Sequence, residues 1–390
     1  MKTLHGRHFL QIPGPSNVPN KVLDAIGQPT IDHRGPAFKE ISKAVLEGSK
    51  RIFKTSSPVL IFPTSGTGAW EAALVNTLNP GDKILMFETG HFATMWYKMA
   101  GHLGLQPEFV PTNWRHGADP KVVLEKLSAD TKHEIKSVNV VHNETSTGVV
   151  SNIAEIRKAI DAAGHPALLM VDVISSLGSI DYRHEEWGVD VTVGCSQKGL
   201  MLPPGLGFNA VSEKAIAASK SNEFKRHFWS WADMLKSNEN YFYPSTPATN
   251  LLFGLKVAIE LLEEEGLDNV FARHDRFAEA TRRAVRAWGL EVLCEDESAY
   301  SSVLTAVMMP DGSGADNLRK VILENFNMSL GNGLGKVADK VFRIGHLGDL
   351  NDLTVIGTLS GVEMGLELAG VKYNKGGVAA AMDYLASCFK

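Results

Sequence analysis

From about residue 58 onward, short apolar runs alternate with longer stretches whose apolar residues recur at helical spacing. The runs are VLIFP (59–63), KILMFE (83–88), SVNVV (137–141), ALLMVD (167–172), VTVGC (191–195) and LGFNAVS (206–212). Helix-like segments such as GAWEAALVNTL (68–78) and IAEIRKAIDAAG (153–164) lie between several of them. This alternation predicts an α/β fold: a mostly parallel sheet with helices on both faces.

Past YPSTPATN (243–250) the texture changes. Two long helical stretches are predicted, from about 249 to 265 and from about 267 to 288. Strand-like segments (SSVLTAVMMP, KVFRIGHL) interleaved with helices then run to the end. The expected organisation is an extended Pro/Gly-rich arm over residues 1–20, a large domain over 21–259, and a smaller α+β domain over 260–390.

Composition narrows the function classes. With 390 residues, 44% of them apolar, the chain can fill two cores of ordinary size. A net charge of −5 without any run of like charge points to neither nucleic acid nor a membrane surface. Cys195, Cys294 and Cys388 are too scattered for a disulfide framework or a zinc site, and the thirteen histidines show no metal-ligand spacing. MKTLHGRHFLQIPGP lacks the apolar core of a signal peptide, so the expected location is the cytoplasm.

In an open parallel sheet, ligands bind beyond the carboxyl ends of the strands, so the residues that follow each apolar run matter most. TSGTG (64–68) follows the first and opens a helix, a geometry that aims backbone N–H groups at an anion. TGHF places the aromatic Phe92 after the second, and HNETSTG (142–148), dense in hydroxyls, follows the third. ALLMVD closes on the carboxylate of Asp172, while VTVGC leads into Ser196, Gln197 and Lys198. Taken singly, each has an ordinary reading: a turn, a helix cap, a core ring, a solvated lysine, loop hydroxyls satisfying their own backbone. Together they are what a phosphorylated aromatic aldehyde requires. Pyridoxal phosphate takes a lysine as its covalent anchor and an acidic partner at its ring nitrogen.

At these residues the sequence strongly resembles the class V aminotransferases of fold type I, and within them the serine–glyoxylate and alanine–glyoxylate group. The resemblance runs through IPGPSNVP (12–19), DHRGPAF (32–38), SGTGAWEAALVNTLNPGD (65–82), HNETSTGV, VDVISSLGS, SQKGLMLPPGLG and KVFRIGHLGDL (340–350). It implies that Lys198 forms the internal aldimine and moves the substrate's α-proton, and that Asp172 pairs with the pyridinium nitrogen. It further implies that Phe92 stacks on the ring, Thr145 bonds the ring hydroxyl, and Ser65, Gly66, Thr67 and Gln197 hold the phosphate. Tyr243 and Thr246 match a pair that reaches the phosphate from the other subunit, which implies a homodimer with shared sites. Arg343 matches the arginine that grips the substrate α-carboxylate.

Two departures stand out. Phe92 replaces the Trp or Tyr of many relatives, and Val173 replaces a Gly or Ala expected to flank the ring. Arg34 either binds a donor's side-chain carboxylate or, the favoured reading, bridges subunits. The activity implied is ping-pong transamination from serine or alanine to glyoxylate, with aspartate as the rival donor. A lyase or desulfurase would need a reactive cysteine on a mobile loop. A dinucleotide or phosphate-loop enzyme would need glycine spacings that SGTGAWE and GNGLGKV (331–337) lack. His91, His142 and His346 fall in motif loops, with structural roles favoured.

Overall fold

The computed structural model describes residues 6–389. In chain order the strands are β1 (Phe9–Gln11), β2 (Val59–Phe62), β3 (Lys83–Phe87), β4 (Gln106–Val110) and β5 (Ile135–Val141). A short hairpin, β6 (Asn143–Glu144) and β7 (Val149–Val150), follows. Then come β8 (Leu168–Asp172), β9 (Val191–Cys195) and β10 (Gly207–Val211). The last four are β11 (Glu291–Val292), β12 (Leu304–Met308), β13 (Met328–Asn332) and β14 (Val341–Gly345).

Seven of these form one sheet in the order β2-β10-β9-β8-β5-β3-β4. Strands β4, β3, β5, β8 and β9 are mutually parallel, and β10 runs antiparallel to both β9 and β2. Alternate residues of one strand enter different cores. Leu169 and Val171 join one apolar cluster, whereas Leu168 and Met170 join the other. Both faces are therefore covered, and that is why the runs read as continuously apolar.

Two elements depart from the expectations. The edge strand β4 was not expected as a strand. It carries Pro107, is half exposed, and pairs only with β3, an edge position where a strand tolerates a residue without an N–H. The arm is also more than an extended lead-in. Phe9–Gln11 pairs in parallel with Met328–Leu330, so β1 is the edge of a second sheet ordered β1-β13-β14-β12-β11.

The helices Thr249–Glu265 and Leu267–Ala287 are separated by Gly266, whose φ of +83° is natural to glycine. The first packs Leu252, Leu255 and Ile259 into the core of the seven-stranded sheet. From the second, Phe277, Ala280 and Ala284 belong to a separate core beneath the smaller sheet. Among the described residues no helix is long and apolar enough to cross a membrane.

Candidate active site

The carboxyl ends of β2, β3, β5, β8 and β9 open onto a cavity of about 270 Å³. Ser65, Gly66, Thr67, Phe92, Thr145, Asp172, Gln197 and Lys198 all line it. Strand direction brings them together: β2, β3, β5, β8 and β9 all point the same way, so the loops that follow them converge on one edge.

Ser65 precedes the helix Gly66–Thr77 in extended conformation, and its side chain makes no capping bond. The first-turn N–H groups are thus left to an outside acceptor, and an anion suits them best. Nearby, Gln197 Oε1 and Asn143 Oδ1 are buried without a protein partner. The Asn143 amide is oriented through its Nδ2, which donates to Ser175 Oγ at 2.7 Å.

Asp172 ends β8 and is buried. Its Oδ1 accepts from the Ile174 N–H at 2.7 Å, and its Oδ2 accepts from Trp70 Nε1 at 3.0 Å. Burial pushes the carboxyl up to about 7 despite these two donors. A protonated ring nitrogen beside it would restore the charged form.

Lys198 is also buried, and burial pulls its amine down to about 8, with Arg343 adding to the effect. The ammonium donates to the carbonyl of Pro13, and the Lys198 carbonyl accepts from Ser16 Oγ at 2.7 Å. The segment Pro13–Ser16 thus walls the cavity. At Gly14 (φ +100°) an added Cβ would lie 2.6 Å from Lys198 Nζ, so the lysine occupies the space that a side chain would take.

Phe92 sits in the first turn of the helix His91–His102, which is held by a residue the sequence reading missed. Glu144 accepts from the N–H groups of Phe92 (3.3 Å) and Ala93 (3.0 Å), and from Ser146 Oγ at 2.7 Å. A buried carboxylate at this helix start is stabilised by those donors and by the helix dipole.

Arg343, on β14, extends from the smaller sheet to the edge of the site. Its Nη1 donates to the Thr145 carbonyl and its Nε to the Asn332 carbonyl, both at 2.8 Å. Tyr243, Thr246 and Arg34 do not line this cavity. Tyr243 lies edge-on to Phe38, while Thr246 and Arg34 are exposed. Val173 packs in the core below the sheet, and it is Ile174 that faces the cavity. His142 and His346 are buried away from it. His142 bonds Ser176 Oγ and His346 bonds Thr305 Oγ1, and burial pulls them down to about 4 and about 3.

Two rival chemistries find no support in this geometry. Cys195 is buried with its thiol pushed up to about 12, unlike a reactive thiolate. In the 331–337 segment Lys336 pairs with Glu88 and lies over the Trp114 ring, so it faces no phosphate cradle.

Residues 8–340 match the family Aminotransferase class-V. The chain belongs to the class V aminotransferases. It is 47% identical over 387 residues to a serine–glyoxylate aminotransferase of Methylorubrum extorquens, covering 97% of this chain and 96% of the relative. It is 45% identical to an L-aspartate–glyoxylate aminotransferase of Paracoccus denitrificans, covering 96% and 95%. The crystal structure of pyridoxamine–pyruvate aminotransferase from Mesorhizobium loti superposes with a TM-score of 0.91 at 29% identity, over 98% of each chain.

The cofactor of this class V aminotransferase is pyridoxal phosphate, and the cavity suits it. Free helix N–H groups suit the phosphate, and a carboxylate and an amine line the same cavity. The amine's lowered pKa leads to a prediction. A group held at about 8 is neutral above that pH and protonated below it, and only the neutral amine attacks an aldehyde. Covalent capture of added pyridoxal phosphate by cofactor-free protein should accelerate as pH rises through about 8 and then level off. Stopped-flow absorbance measures this, and a midpoint near the ordinary lysine value would contradict the environment described.

Proposed function

We propose that this aminotransferase moves the amino group of L-serine to glyoxylate, giving glycine and a 2-oxo acid, with L-alanine as a further donor. The first product leaves before the second substrate enters. The observation that carries the choice of donor is the charge inventory. Among the residues lining the cavity Lys198 is the only cation, and Arg343 is the guanidinium at its edge. One guanidinium matches one α-carboxylate and leaves a donor's side chain without a counter-ion. The serine–glyoxylate relative in Methylorubrum extorquens supports the same donor and acceptor.

In this reading Ser65, Gly66, Thr67 and Gln197 would hold the cofactor phosphate, Thr145 its ring hydroxyl, Phe92 its ring face and Asp172 its ring nitrogen. When bound, pyridoxal phosphate supplies an aldehyde carbon to receive the amino group and a ring that takes up electrons released at the substrate's α-carbon. Arg343 seats the α-carboxylate and thereby orients the Cα–H bond toward Lys198. Neutral Nζ of Lys198 removes that proton, and the ammonium so formed, within reach of the Pro13 carbonyl, delivers it back on the other side of the transfer. Gly14 and Pro15 of the arm, Ile174 and Trp70 give the space its apolar walls.

Residues 21–259 are read as the cofactor-binding domain and 260–390 as the smaller domain that brings Arg343. Tyr243 and Thr246, lying outside this chain's own cavity, are assigned to a partner's phosphate in a homodimer, and the location is taken as cytoplasmic. The Paracoccus denitrificans relative motivates a second reading, with aspartate as donor and Arg34 of one subunit serving the other's site.

The deciding experiment screens serine, alanine and aspartate against glyoxylate and pyruvate. The purified protein is expected to be yellow, to lose that colour with serine and to regain it with glyoxylate. Arg34→Ala should leave serine turnover within about twofold, as for an exposed surface charge. Faster turnover of aspartate than serine, with that excess abolished by Arg34→Ala, would install the second reading instead.

A further inference from the structure

Trp70 lines the cavity from the helix Gly66–Thr77. Its ring stacks on Trp96, with centroids 5.8 Å apart and an interplanar angle of 11°, so its plane is fixed by packing. Its Nε1–H points at Asp172 Oδ2 from 3.0 Å, and both groups are buried. An indole N–H donates and never accepts. It therefore stabilises an oxygen that bears no proton and disfavours protonation at the lone pair it occupies. The Ile174 N–H does the same at Oδ1.

We infer that Trp70 is a positioning residue that keeps Asp172 ionised and aimed at the cofactor's ring nitrogen. This rests on the assignment of Asp172 to that nitrogen given above. The other charged or titratable groups facing Asp172 are Glu144, Lys198 and the Cys195 thiol. None of them is altered when Trp70 is replaced by phenylalanine, and a phenylalanine ring retains an aromatic surface for Trp96.

The test is a double-mutant cycle on cofactor affinity, with pyridoxal phosphate titrated into the cofactor-free full chain across a range of pH. Trp70→Phe should weaken binding about tenfold, the order expected for a hydrogen bond to a charged group. It should also move the acidic fall-off of affinity to higher pH by about one unit, because a carboxylate with one donor fewer protonates more readily. In the Asp172→Asn background the same substitution should change the dissociation constant by less than about twofold. Equal weakening in both backgrounds with an unmoved fall-off would mean that Trp70 acts by packing alone, overturning the inference. So would undiminished binding by Trp70→Phe where Asp172→Asn binds poorly. If Asp172→Asn itself binds as tightly as the unaltered protein, the Asp172 assignment falls and takes this inference with it. A second measurement serves if Trp70→Phe does not fold. Of the seven tryptophan indole N–H resonances, that of Trp70 should shift with pH in the cofactor-free protein and lose that shift in Asp172→Asn, whereas those of Trp114 and Trp288, which donate to Glu88 and Glu363, should be the same in both proteins. The absence of any such signal would overturn the inference.

Discussion

Lys198→Ala is expected to lower transamination by about 10²- to 10⁴-fold while the protein continues to bind pyridoxal phosphate. The two halves of this expectation have separate physical origins. Turnover depends on an amine that is buried, held at about 8 and directed into the cavity by a wall without side chains at Gly14. No other lysine lines that cavity to substitute for it. Noncovalent binding would draw on different groups that line the cavity: the first turn of the helix Gly66–Thr77, Gln197, Thr145 and Asp172. None of these depends on the Lys198 ammonium for its place, since Asp172 is held by Ile174 and Trp70. The measurements are steady-state rates with serine and glyoxylate, and an absorbance titration with the cofactor. Turnover within tenfold of the unaltered protein would remove Lys198 from the mechanism.

The second large effect is expected at Arg343. Arg343→Lys keeps a positive charge but loses the planar fork that meets a carboxylate with two parallel bonds. It also strips donors from the carbonyls of Asn332 and Thr145, the latter in a loop that lines the cavity. A loss of about 3 kcal/mol, or roughly 10²-fold in kcat/KM, follows for truncating one partner of a buried charge pair. The loss should appear in both KM and kcat, since the same fork binds the carboxylate and orients the Cα–H bond. It should be nearly equal for serine, alanine and glyoxylate, because the group that Arg343 would grip is common to all three. A loss confined to one substrate would show that Arg343 reads side chains instead.

How much of this was visible beforehand follows from the range of each interaction. Every strand of the large sheet except β4 stood out as a mainly apolar run, because burial on both faces leaves few polar residues in the segment. Edge placement and Pro107 erased that signal for β4. The strand-end residues were equally legible, since parallel topology alone says where Ser65, Asp172 and Lys198 must gather. Contacts between distant segments were not. Trp70 lies 102 residues before Asp172 and sits in a helical pattern that gives it every appearance of a core residue. Glu144 stood among hydroxyls in HNETSTG, and the helix start it caps is about fifty residues earlier. The Pro13 carbonyl carries no side-chain signature at all, and its partner is 185 residues away.

The first strand belongs to one sheet and Ser16, five residues after its end, is tied to the loop of the other that carries the lysine. Those few residues act as a tether between two bodies with separate cores. A shift of the smaller body relative to the larger would therefore be felt at the ceiling above the amine. Trimming the chain to residue 17 would sever that linkage and admit bulk water where a proton is meant to travel in isolation.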